Sequence, residues 1–242
     1  MHAKSVKLPL IREGQTFYAC AVMARGEWAM GAPPAGQLHP EEKAIYDAFP
    51  SRRRKESFLL GRLSARQAVL GLTGVSNSHA LWIDSGVFQF PVVRGAGLQN
   101  IQVSISHCDA IGFSVAFPEA HPLGVDVEKI GGETADAVLS QLTGKEQMLM
   151  RACGQDHVAG YTAVFSMKEA LSKILRTGMM LDFKFLEVEE IKVLKDALTC
   201  TFTHFGQYKA FACFKEPHVF SMALPRRTAM HLTPLWRLLE GK

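Results

Sequence analysis

Between Gly124 and Lys173 the apolar period of this chain changes from two to about 3.6, so the fold must seat a strand and a helix that both carry acids. In Gly124-Val125-Asp126-Val127-Glu128 the valines alternate with the acids, and a strand of this pattern carries both carboxylates on one face. In Phe165-Ser166-Met167-Lys168-Glu169-Ala170-Leu171-Ser172-Lys173 a helical stripe of Phe165, Ala170 and Leu171 continues through Ile174 and Leu175. Glu169 and Lys173, four apart, share another face of that helix.

If the Glu169 face packs against the Gly124–Glu128 strand, three carboxylates meet. Three carboxylates with waters and phosphate oxygens suit Mg²⁺, which keeps several waters and takes few protein ligands. Each segment alone has an ordinary structural reading. A D-x-E strand is commonly solvated, and an E-x-x-x-K helical pair is commonly a surface ion pair contributing about 0.3–0.5 kcal/mol. The two together, with Ser104-Ile105-Ser106-His107 upstream, supply hard oxygen ligands for a divalent cation and cationic groups for phosphate, which points to phosphoryl-group chemistry.

The remaining pattern is α+β. A helix is expected from Pro40, with Glu41 and Glu42 in its first turn, and another over 53–72, ending at the glycines 71 and 74. Segments 80–83, 88–93, 101–106 and 112–117 read as strands. After the 124–129 strand, Thr143-x-x-Glu146 is a capping box opening a helix of about ten residues. The signature helix is expected over 160–176, ending before Gly178, followed by strands near 185–194, 198–204, 208–214 and 219–224. Each half thus offers helices followed by antiparallel strands. The Pro-containing stretch 117–123 is the expected seam, giving halves 1–121 and 122–242.

Composition excludes several classes. Five widely spaced cysteines without a C-x-x-C pair encode neither a disulfide framework nor a zinc site, which points to the cytoplasm. No apolar run has signal-peptide or membrane-spanning length, so no membrane association is expected. The net charge of +4 suits an acidic partner without demanding nucleic acid. A metal-dependent nuclease using the acids and the Arg52-Arg53-Arg54-Lys55 cluster is disfavoured, because no nucleic-acid motif or aromatic interleaving accompanies that run.

In order, Ser104–His107, Gly124–Glu128 and Phe165–Lys173 resemble the three signatures of 4′-phosphopantetheinyl transferases of the surfactin-synthetase-activating type. Leu38-His39-Pro40-Glu41-Glu42, Arg53-Arg54 before Phe58, and Gly61-Arg62-Leu63-Ser64-Ala65-Arg66 also fit, so the resemblance runs over roughly residues 38–190. It implies two similar α/β halves packed as a pseudo-dimer, with coenzyme A in the cleft between them. It also implies a monomeric, Mg²⁺-dependent enzyme, with Mn²⁺ the alternative ion. That enzyme transfers phosphopantetheine to a serine of acyl or peptidyl carrier proteins of fatty acid, polyketide or nonribosomal peptide synthesis.

The same resemblance assigns Asp126, Glu128 and Glu169 to the metal, and Glu169 to proton acceptance, directly or through a metal-bound water. It assigns Lys173 to the departing phosphate, and Arg54, Arg62, Ser106, His107 and Lys168 to coenzyme phosphates. Arg54 and Arg62, eight apart, can share one helix face. The chain departs from the family at Gln89-Phe90-Pro91, where members carry Gly-Lys-Pro. A coenzyme-side lysine is missing there, with Arg94 the candidate replacement. A coenzyme A or carrier-protein binding module without turnover is the alternative reading.

Overall fold

Glu13 and Gly14 both take positive φ (51° and 78°), as a two-residue type I′ hairpin turn requires. They join β1 (His2–Arg12) to β2 (Gln15–Arg25), with Arg12 opposite Gln15. The computed structural model describes residues 2–26, 38–76, 80–131, 135–155, 157–177, 180–195 and 197–241. It divides into two units, Met1–Pro122 with Ala229–Lys242, and Leu123–Thr228.

In the first unit α1 (Pro40–Ala48) opens with a capping box in which the Glu42 carboxylate accepts from the His39 N–H at 3.1 Å. α2 (Arg52–Thr73) starts at Ser51, whose side chain accepts from the Arg54 N–H, and stops at Gly74 in the left-handed conformation (φ 73°). There follow β3 (Leu81–Ser85), β4 (Pro91–Gly95), β5 (Ile101–Cys108) and β6 (Ile111–Pro118). The main sheet runs β1-β2-β6-β5, all antiparallel, and β3 pairs with β4 as a separate hairpin. Because β1 is the edge strand, Pro9 costs it no ladder bond that a central strand would need. α2 presses Ala65, Ala68 and Val69 onto Cys20, Val22, Val103 and Ala116.

The second unit begins with β7 (Gly124–Lys129), then α3 (Ala135–Ser140), α4 (Gly144–Ala152) and α5 (Val158–Leu175). β8 (Val188–Val193), β9 (Ala197–Phe202), β10 (Tyr208–Lys215) and β11 (His218–Pro225) complete an antiparallel sheet ordered β7-β11-β10-β9-β8. α5 lies across β7, β11 and β10. Its Ala163, Val164, Met167, Ala170 and Leu171 are fully buried, and each of the larger side chains contributes about 1.5–3 kcal/mol on leaving water. The helix ends at Arg176 in the left-handed conformation; Gly178, the expected stop, lies outside the described residues. α6 (Thr233–Glu240) then packs on β1 and β2 of the first unit.

Some expectations need correcting. A second half reaching residue 242 is one, because Ala229 exchanges two backbone hydrogen bonds with Ile11 (2.8 and 2.9 Å) and carries α6 back to the first unit. A strand from Phe88 is another. Val87–Gln89 is a 3₁₀ turn in which Phe88 and Gln89 have φ 62° and 63°. Phe185 likewise sits in a 3₁₀ turn, Phe183–Leu186, ahead of β8. The β1–β2 hairpin and α6 are elements that the local pattern did not predict.

Candidate functional site

The contact between α5 and β7 is set by a missing side chain. A Cβ at Gly124 would stand 1.9 Å from the Ala170 carbonyl oxygen, so only glycine lets the two backbones touch there. This approach carries Ser166, Glu169 and Lys173 of α5 to the acidic face of β7. Asp126, 2% exposed, accepts from Ser166 Oγ at Oδ2 (2.8 Å) and from Lys173 Nζ at Oδ1 (2.8 Å). Lys173 Nζ also donates to the Val125 carbonyl at 2.9 Å. Lys173 therefore reaches across to β7 to form an ion pair with Asp126.

Glu128 and Glu169 complete the set electrostatically. Burial, then the charge of Asp126, pushes the Glu128 carboxyl up to about 7 despite the offset from Lys173. Burial and Asp126 raise Glu169 as well, with Lys173 again opposing. Three acids facing one ammonium have the donor chemistry and the excess negative charge for a hard divalent cation. Among the described residues their oxygens do not all close to within 4.8 Å of one another, so this is an open arrangement with the ammonium of Lys173 against its most buried member.

Lys168 belongs elsewhere. Its Nζ donates to both oxygens of Glu146 (2.9 and 3.0 Å) and to the Gln141 carbonyl (3.0 Å), and the side chain is 0% exposed. Its three N–H groups are thereby used, against the expectation of a coenzyme phosphate contact. Burial lowers its pKa, with Glu146 opposing. Glu146 also closes its capping box by accepting from the Thr143 N–H (2.7 Å) and takes the Val188 N–H (2.9 Å), tying α4, α5 and β8 together.

In the first unit Arg54 and His107 line a concavity of ≈ 520 Å³ with Arg53, Ser57 and Phe58. A larger one of ≈ 730 Å³ takes Arg52, Arg53, Glu56 and His107. Arg62 lies on the Arg54 and Phe58 face of α2, its guanidinium over the Phe58 ring at 4.6 Å, donating to Ser85 Oγ at 3.4 Å. Among the described residues its buried Nε has no hydrogen-bond partner, and burial lowers its pKa. Ser106 and His107 alternate on β5, Ser106 buried and His107 exposed, so they face opposite sides of the sheet rather than one ligand. Arg94 is paired with Asp84 at 3.1 Å. Phe90 lies over Gly86, where a Cβ would meet the ring at 2.7 Å.

Sequence reasoning missed Ser166, the second partner of Asp126, and the Glu146–Lys168 pair. The capping box gave half of the latter signal; the strut needs a fold-level contact.

Residues 122–223 match the family model of the 4′-phosphopantetheinyl transferase superfamily, a stretch that covers most of the second unit and every acid of the β7–α5 contact. That superfamily transfers phosphopantetheine, with coenzyme A as substrate and a carrier protein as acceptor. No curated protein matches the chain at a significant level. Among the described residues no helix is long and apolar enough to cross a membrane.

Proposed function

We propose that this protein transfers the 4′-phosphopantetheine group of coenzyme A to a serine of apo acyl or peptidyl carrier proteins, in the manner of the surfactin-synthetase-activating type. The observation that carries the reading is the seating of Asp126, Glu128, Glu169 and Lys173 at one helix–strand contact inside the matched segment. The carrier serine oxygen forms a bond to the β-phosphorus, the bond from that phosphorus to the bridging oxygen breaks, and 3′,5′-ADP leaves.

Asp126, Glu128 and Glu169 would hold Mg²⁺, or Mn²⁺, which when bound supplies charge neutralisation for the pyrophosphate. Glu169 takes the serine proton, directly or through a water. Lys173 offers a compact positive charge to the departing phosphate. Arg54, Arg62 and His107 are proposed for coenzyme phosphates; the orphaned Nε of Arg62 supports its part. Lys168 is left out as a structural strut. None of the five cysteines is joined in a disulfide among the described residues, which supports a cytoplasmic setting.

The test is incubation with coenzyme A, Mg²⁺ and a panel of apo carrier proteins, read by intact mass. A gain of one phosphopantetheine group on a carrier, abolished by chelation, is expected. No gain on any carrier of the fatty acid, polyketide and peptide classes overturns the reading.

A further inference from the structure

Two lysines of α5, five residues apart, are held in opposite ways. Lys168 is wholly enclosed with every N–H used. The Lys173 side chain is 25% exposed, and the contacts of its ammonium are one carbonyl and one carboxylate oxygen. Lys168 is sealed in with Glu146; Lys173, a quarter exposed, can swing into water on its flexible stem once another cation takes its place at the buried Asp126.

Lys173 also sits where a metal would bind: each oxygen of Asp126 already accepts a hydrogen bond, Oδ2 from Ser166 and Oδ1 from the ammonium of Lys173, both at 2.8 Å. A divalent cation held by Asp126 would stand close to that ammonium, and two like charges sharing one carboxylate repel.

On the reading of the site given above, we propose that Lys173 is the resident counter-cation of the metal-free site: it and the divalent cation compete for Asp126, and its displacement hands the ammonium to the pyrophosphate of coenzyme A. Metal loading and coenzyme binding are then coupled through one side chain. Lys173 satisfies Asp126 while the site is empty and becomes available as a phosphate ligand only when a metal has replaced it.

The experiment is calorimetric titration of Mg²⁺ and Mn²⁺ into the full chain without coenzyme, for the parent, Lys173→Met, Lys173→Gln and Lys173→Arg. Coenzyme A affinity with and without metal is measured in parallel, with melting curves for each variant. Removing the charge is expected to tighten metal binding by about tenfold or more, and to shrink the gain in coenzyme affinity that metal gives the parent. Lys173→Arg, which keeps the charge, should bind metal like the parent. Metal affinity unchanged or weaker in folded Lys173→Met and Lys173→Gln overturns the competition while leaving the transferase reading intact. A parent that takes up no metal without coenzyme overturns the competition, and one whose coenzyme A affinity is also unchanged by metal overturns the transferase reading as well.

Discussion

The two units share an element order and a capping-box strut, and they differ in the acids at the contact of the long helix with its strand. In the first, β2, α1, α2 and then β3 to β6 follow in the order that β7, α4, α5 and β8 to β11 follow in the second; β2-β6-β5 are neighbours as β7-β11-β10 are. Each unit buries a capping-box glutamate against a cation of its long helix and a strand N–H. Glu42 takes Arg66 and the Ile83 N–H, and Glu146 takes Lys168 and the Val188 N–H. Counted along the long helix from the strut cation, Ser64 and Arg66 correspond to Ser166 and Lys168, and Gln67 and Gly71 to Glu169 and Lys173. Val22 pairs with Ser114 as Asp126 pairs with Ser221, so an apolar residue replaces the central acid. Ser64 accordingly bonds to Ser114 (2.7 Å), whereas Ser166 bonds to Asp126. The scaffold needs the strut in both units; the acids are an addition to one.

The largest effects should therefore be shared by the units. Glu42→Ala and Glu146→Ala each strand a buried cation and are expected to destabilise the protein by about 3–5 kcal/mol in denaturant unfolding. A cost near zero for either would end the equivalence of the struts. The next effect should be confined to the second unit. Glu169→Gln is expected to cut transfer by about 10² or more at near-parental melting temperature, while Gln67→Ala, at the matching exposed position, leaves transfer within a few-fold. Comparable losses from both would break the comparison; parental turnover in Glu169→Gln would make the Glu169 face structural.

The first unit's own contribution is sharpened by ligand choice. Arg54→Ala and His107→Ala should each weaken coenzyme A binding by about 1.5–3 kcal/mol, and dephospho-coenzyme A binding by less if they meet the 3′-phosphate. Equal losses move them to the pyrophosphate. The smallest effect is a pH slope. Glu128 is raised from 4.5 to about 7, so the metal-free fold holds that proton more tightly than the unfolded chain. Its contribution favours folding below about 4.5 and is lost as pH climbs to about 7. Melting temperature followed across that window should fall more steeply in the parent than in Glu128→Gln; parallel curves would remove Glu128 from the buried cluster.

The β7 strand and α5 helix were legible because both are short-range periodicities with acids at fixed offsets. Ser166 and Lys168 were not, although they lie in the same segment. Their partners are 40 and 22 residues away, and a lysine on a helix is ordinarily exposed, so only the contact with Glu146 reveals a buried cation. Phe88 looked like the start of a strand because its neighbours alternate, yet two successive left-handed residues turn the chain there. The signal for the β1–β2 hairpin was present in Glu13-Gly14 between alternating runs. The α6 helix carries Pro234 in its first turn and an amphipathic pattern too short to weigh alone.

The return of residues 229–241 to the first unit has a consequence for how this chain is made. Residues 123–228 are one uninterrupted stretch of chain, whereas the first unit is discontinuous: its edge strand β1 is synthesised before the whole of the second unit, and the helix that covers it after. Domains of a growing chain generally fold from the N-terminus onward. Here the second unit can close while the first still waits with β1 uncovered by α6. A change in residues 229–241 is then felt at the sheet of the first unit, and of the two units the one begun first is the one finished last.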